Sequence, residues 1–100
     1  RLARSDWVAD LLDRARRAQA SGRLELASQA ALQALAARPA GAVLDEAVAF
    51  GSQLGHKLFS AGEFLAAEAL WRAALALDPS DDRLARYLQE VETRQIGERV

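Results

Sequence analysis

The side chains that could do chemistry are few. His56 is the only histidine, so a site built on several imidazoles is excluded, and with no cysteine in the chain thiolate metal sites and disulfides are excluded as well. No motif supplies a nucleophile and an orienting carboxylate for His56, which reads as a polar surface or groove residue rather than a general base. Two carboxylate pairs, Asp45-Glu46 and Asp81-Asp82, have the types needed for acid-base or metal work. Both fall near expected helix starts, where the helix dipole favours negative charge, and that structural role accounts for them. Neither glycine cluster has the spacing of a phosphate-binding loop. No catalytic residue, metal ligand or cofactor site is expected.

A binding constellation is easier to assemble. Arg16, His56 and Arg86 could converge on a carboxylate-bearing ligand, because guanidinium offers a planar fork of donors and imidazole becomes cationic under mild acid. The competing reading is that such arginines lie in water beside Asp or Glu, where an ion pair contributes little. Gly51 and Gly55 have the spacing of a membrane helix-dimer motif, yet Ser52, Gln53, His56 and Lys57 argue for close helix packing in water.

These residues must be positioned by helices. The chain of 100 residues is 51% hydrophobic and 27% charged, too apolar for disorder and rich in the helix formers alanine and leucine. That length is one domain able to bury roughly 60–65% of its extended surface. The formal net charge of −1 provides no field for nucleic acid. The uncharged run from Leu26 to Ala37 is shorter than the ~20 residues of a membrane span, so no insertion into a bilayer is expected. The chain begins at Arg1, which reads as a piece of a longer protein and makes the lack of a targeting signal uninformative. Twelve arginines against the single Lys57, with abundant alanine, suggest a GC-rich bacterial source.

Helical periodicity predicts five helices. The first begins after Ser5 or Asp6 and buries Trp7, Leu11, Ala15 and Ala18, until Ser21-Gly22 breaks it. A second buries Leu24, Ala27, Ala31 and Leu35 and stops at Pro39, with Ala40-Gly41 turning the chain. A third, from about Ala42 to Ser60, buries Val48, Leu54, Gly55 and Leu58 and ends at Ala61-Gly62. The fourth, Glu63 to Leu77, buries Phe64, Ala67, Leu70, Trp71, Ala74 and Leu75. Ser80 caps a fifth with Leu84, Leu88 and Val91 on its apolar stripe, and the tail from Gln95 frays.

The pattern repeats. At an offset of 40 residues Gly22 lands on Gly62, Ala27 on Ala67, Ala34-Leu35-Ala36 on Ala74-Leu75-Ala76, and Pro39 on Pro79. Such periodicity marks a unit that buries its apolar face only by stacking on a neighbour. Loops this short make each pair of helices antiparallel, and Ala15, Ala27, Ala34, Gly55, Ala67 and Ala74 let their axes approach closely.

Leu54-Gly55, Leu58, Gly62, Phe64, Ala67, Trp71, Ala74 and Pro79 stand at the spacings of the tetratricopeptide repeat, a helical hairpin of roughly 34 residues. The chain resembles that family over about Val8 to Val91, with a first unit degenerate but in register through Leu11, Ala15, Ala18, Gly22, Leu24, Ala27, Ala31, Ala34 and Pro39. The offset of 40 exceeds the family's period by about six residues, which are expected to form a turn and an extra helical turn before the third helix. The resemblance implies a short right-handed superhelix spanning 5–96: one repeat at about 8–39, a second at about 48–79, a capping helix at about 81–95, and a frayed 97–100.

It also implies docking of a protein or peptide in a groove lined by the first helix of each pair. Mapped onto this chain, the groove comprises Leu12, Arg16 and Gln19, flanked by Ala9 and Asp13, then Ser52, Gln53, His56 and Phe59, flanked by Ser60, with Arg83 and Arg86 at the far edge. The family's carboxylate clamp of lysine and asparagine is absent, since Leu12, Arg16 and Gln53 occupy its positions. Trp7, just before the first unit, could be an exposed anchor for a partner or for a preceding helix. Three roles fit this resemblance: a noncatalytic scaffold, the end of a longer solenoid, or part of a lipid-anchored periplasmic activator of a peptidoglycan synthase, its partner a membrane-bound penicillin-binding protein. The compartment stays open, with the periplasm placed ahead of the cytoplasm.

Overall fold

The computed structural model describes the backbone of residues 4–99 and the side chains of 7–94. Five α-helices follow one another: α1 (Arg4–Ala20), α2 (Leu24–Ala36), α3 (Gly41–Ser60), α4 (Phe64–Leu77) and α5 (Asp82–Arg99). Among the described residues there is no strand, and the fold class is all-α with packed helical hairpins in a repeat-like arrangement. Here α1 packs on α2 and α3 on α4, α2 bridges the hairpins by touching both α3 and α4, and α5 closes against α4. The Cα envelope measures 51 × 32 × 15 Å, the shape of a slab two helices thick.

The 40-residue offset is visible in the hydrogen bonds. At the end of α1, Arg23 N–H donates to Ala18 O at 2.8 Å and Gly22 N–H to Gln19 O at 3.0 Å. At the end of α3, Glu63 N–H donates to Leu58 O at 2.8 Å and Gly62 N–H to Phe59 O at 3.0 Å. Both turns are the motif in which a left-handed residue satisfies the last free carbonyls of a helix. Gly22 (φ 77°) and Gly62 (φ 82°) supply that conformation without the steric cost a Cβ would bring.

One core runs through both hairpins. Ala15, Ala27, Ala34, Ala67 and Ala74 are fully buried, and Leu35, Leu54, Leu58, Leu70, Trp71, Leu84 and Val91 fill the space between them. The stripe of α1 is turned from the expected one: Val8, Leu11, Leu12 and Ala15 face the core, while Trp7 is 48% exposed. Val8, Leu12 and Ala15 recur four and three residues apart, which places the larger aliphatic pair inward and leaves the indole at the edge. Ala47 and Phe50 of α3 also join the core, where Val48 is only half-buried.

Helix boundaries differ at three places. The first helix includes Ser5 and Asp6, the residues expected to cap it, and their side chains lie outside the described residues. At α5, Asp81 rather than Ser80 is the cap: its Oδ1 accepts from Arg83 N–H at 3.0 Å and Leu84 N–H at 3.2 Å, the second and third amides of the helix. Ser80 instead donates through its hydroxyl to Asp78 Oδ1 at 3.1 Å. The stretch expected to fray from residue 97 is helical to Arg99, and Val100 lies outside the described residues.

The extra residues of the offset enter α3, which starts immediately after an extended Ala40 (φ −127°, ψ 165°). At 20 residues α3 is the longest helix. It therefore reaches past the hairpin it belongs to, toward the turn that joins α4 and α5.

Candidate functional site

One face of α3 carries Asp45, Val48, Ala49, Ser52 and Gln53 at helical spacing. Opposite stand Leu77 and Asp78 at the end of α4, then Asp81, Arg83 and Tyr87 at the start of α5. Together with Leu44 they enclose a recess of about 480 Å³, within the range of ligand clefts. The side chains Leu44, Val48, Leu77 and Tyr87 form its apolar part. Ser52 and Gln53 add hydroxyl and amide groups that can donate or accept hydrogen bonds. Three carboxylates, Asp45, Asp78 and Asp81, face one guanidinium, Arg83, whose Nε lies 3.9 Å from Asp81.

Local sequence explains the placement. Pro79 ends the fourth helix, and Asp81 restarts the chain as a cap, so Asp78 and Asp81 are held on either side of a tight turn closed by Asp81 N–H donating to Asp78 O at 3.1 Å. Tyr87 is fixed by rings: its centroid lies 4.4 Å from His56 and 5.2 Å from Trp71. Trp71 in turn donates its indole N–H to the carbonyl oxygen of Ser52 at 3.2 Å. That bond keeps the wall of the recess in register with α4.

The groove residues expected from sequence are thus divided. Ser52, Gln53 and Arg83 meet in the recess. Gln19 and His56, with Ser60, line a separate and shallower depression of about 590 Å³ between the α1–α2 turn and the end of α3. Arg86 is exposed and lines neither. Leu12 is not a groove residue at all, since it is 1% exposed and belongs to the core.

Arg16, His56 and Arg86 do not form a carboxylate site. The guanidinium of Arg16 is engaged by Asp13 at 3.2 Å and by Glu46 of α3, and lies 5.6 Å from the Phe50 ring centroid. It ties α1 to α3. His56 makes edge-on contacts with Tyr87 and Trp71, and Phe59 is half-buried between Phe64 and Trp71, with the Arg94 guanidinium 5.7 Å from its ring centroid. Across the other seam, Arg72 reaches Glu92 of α5 at 2.7 Å, while Glu68, one turn earlier on α4, lies 3.4 Å from the same guanidinium.

The sequence assigns Asp45 to a helix start and gives Asp78 and Tyr87 no part in a site. Asp45, Ala49 and Ser52 recur at helical spacing, a signal that could have found one wall; the second wall depends on where the α4–α5 turn lies in space. Among the described residues no three His, Cys, Asp or Glu side chains are grouped to hold a metal ion. Among them no buried side-chain nitrogen or oxygen lacks a hydrogen-bond partner, and no helix is long and apolar enough to cross a membrane.

No protein-family model, curated protein or solved structure matches this chain. The class defined by its own geometry is a five-helix repeat-like domain with an open recess between its third and fifth helices.

Proposed function

We propose that this chain is a noncatalytic interaction module of the tetratricopeptide kind, which holds an extended segment of a partner protein in the recess between α3 and α5. The observation that carries this reading is the meeting of Ser52, Gln53 and Arg83, residues from two helices, around one cleft that is also lined by Leu44, Val48, Leu77 and Tyr87. Repeat architectures supply a rigid frame for such clefts because each unit is fixed by its neighbours. Here the Arg16 to Glu46 pair and the Trp71 to Ser52 hydrogen bond hold α3 from both sides.

A random-peptide display selection against the immobilised protein tests the reading. Selected peptides should bind saturably and shift the amide resonances of Val48, Ser52, Gln53 and Tyr87. Ala49 is exposed and lines the recess, so Ala49→Trp fills the cleft without touching the core and should abolish that binding. Peptides that bind Ala49→Trp as tightly as the parent protein would refute a docking role for the recess.

A narrower version, in which the module belongs to a lipid-anchored periplasmic activator of a peptidoglycan synthase, rests on the resemblance to the tetratricopeptide family, in a chain whose arginine- and alanine-rich composition suggests a GC-rich bacterial source. It predicts that the synthase's polymerisation rate rises on addition of the full-length protein and fails to rise with Ala49→Trp. The alternative of a solenoid end is favoured by one observation, the half-exposed Trp7 on α1. It predicts that Trp7→Ser reduces self-association and leaves peptide binding unchanged.

A further inference from the structure

We infer that the partner segment seated in the α3–α5 recess is basic, an extended peptide carrying Lys or Arg beside an apolar residue, and not the acidic ligand that the arginines of the sequence suggest; this rests on the docking role proposed above. The recess has walls, apolar side chains in its lining and a sign. Three carboxylates line it, and Asp81 is committed to the α5 amides and to Arg83, which leaves Asp45 in the second turn of α3 and Asp78 at the end of α4 without a cation of their own among the lining residues.

The backbone at the end of α4 has the same sign. The C-terminal end of a helix is its negative pole and favours a cation. Helix α4 has no basic residue in its last turn and ends on Asp78, placing a carboxylate on that pole. This arrangement is locally unfavourable, and a local rule broken beside a cleft marks a place where an incoming group completes the electrostatics. The Asp45 side chain has no ion pair or hydrogen bond with any described residue and is exposed at the rim. By contrast, the two arginines nearest the expected anionic site are spoken for or dispersed: Arg16 is paired with Glu46 and Asp13, and Arg86 lines neither depression.

The fit is that of a long cationic side chain whose methylenes lie on Val48, Leu77 and Tyr87 while its charged head reaches Asp45 and Asp78. Arg83, 73% exposed on its side chain, is free to swing away or to screen the site. Attraction between separated rim charges and the peptide makes association sensitive to salt.

The test uses two sets of short fluorescein-labelled peptides, one placing Lys or Arg beside Leu or Phe, the other identical with Glu in place of each cation. The basic set should bind, shift the resonances of Leu44, Val48, Leu77 and Tyr87, and weaken as salt is raised. Asp45→Asn with Asp78→Asn should lower affinity about tenfold, whereas the control Glu25→Gln with Glu63→Gln, which removes the same charge from α2 and the start of α4, should leave it unchanged. Equal weakening by both double variants would mean that only net charge is sensed and would overturn the inference. Binding of the acidic set at the same resonances overturns it too, while the docking role stands. If neither set moves those resonances and display selection also finds no recess-binding peptide, both fall.

Discussion

Gly55 of α3 and Trp71 of α4 form one packing unit: the indole lies so close to the α3 backbone that a Cβ on Gly55 would fall 2.3 Å from Trp71 Nε1. The same indole N–H reaches Ser52 O at 3.2 Å. At the equivalent positions of the first hairpin stand Ala15 and Ala31, both buried. The two hairpins therefore solve one packing problem differently, with two small residues in the first and a missing side chain opposite a large one in the second.

Gly55→Ala should destabilise the protein by about 1–3 kcal/mol, since the clash is with a ring fixed on several sides and outweighs the gain in helix propensity. Gly51→Ala is the control. Its Cβ would meet only Leu35 Cδ1 at 3.2 Å, a flexible methyl that can give way, so its effect should stay within about 1 kcal/mol. Urea unfolding monitored by far-UV circular dichroism measures both. Equal midpoints for Gly55→Ala and the parent would mean the indole is not held where the geometry places it.

Leu12→Ala should cost about 2–4 kcal/mol, the range for truncating a leucine in a packed core. Were Leu12 a groove residue, the loss would be a few tenths. Gln19→Ala provides the comparison, because Gln19 is half-exposed at the shallow depression and should change stability by less than about 0.5 kcal/mol.

How much of this was legible follows from what kind of information each feature needs. The hairpin turns at Gly22 and Gly62 are local, fixed by a break in periodicity and a residue free to take positive φ, and they stand where the sequence puts them. The core alanines are legible because the repeat shows them twice. The facing of α1 is not, since Trp7 and Val8 each fit an apolar stripe and only the packing of α1 against α2 and α3 selects between them. The recess is less legible still. Asp45 and Asp81 are 36 residues apart and meet only because the residues added before the second repeat lengthen α3 to the α4–α5 turn.

The cap of α5 offers a local test. Asp81→Ala removes the acceptor of two backbone amides and should cost about 1 kcal/mol, whereas Asp81→Asn keeps the acceptor and should cost only a few tenths. Ser80→Ala should be nearly neutral, because the Ser80 hydroxyl serves Asp78 and not the helix. A larger loss at Ser80 than at Asp81 in thermal unfolding would reverse the assignment.

Arg16→Ala and Glu46→Ala, with the double variant, should give a coupling of under about 1 kcal/mol at low salt that falls as salt rises. Both side chains are more than a third exposed, 41% and 46%, so solvent screens the pair. A coupling near zero, with Arg16→Ala alone still destabilising, would mean that Arg16 acts mainly through Phe50, over whose ring it lies.

Arg38 is a place where the sequence works against the fold. It ends α2 at φ 51°, donating its N–H to Leu35 O at 3.1 Å, in the left-handed conformation that glycine fills at the ends of α1 and α3. A Cβ there costs roughly 1 kcal/mol, and the following Pro39 further restricts the residue before it. Part of that cost returns as chain entropy when glycine replaces arginine. Arg38→Gly should therefore raise stability by about 0.5 kcal/mol, a few degrees in Tm for a domain of this size. Arg38→Val should lower stability by about 1 kcal/mol or more, since a β-branched residue tolerates positive φ least. The exposed arginine side chain contributes little of its own, so Arg38→Lys should leave Tm unchanged. A fall in Tm for Arg38→Gly, with Arg38→Lys also reduced, would place the contribution of Arg38 in its side chain and not in its backbone.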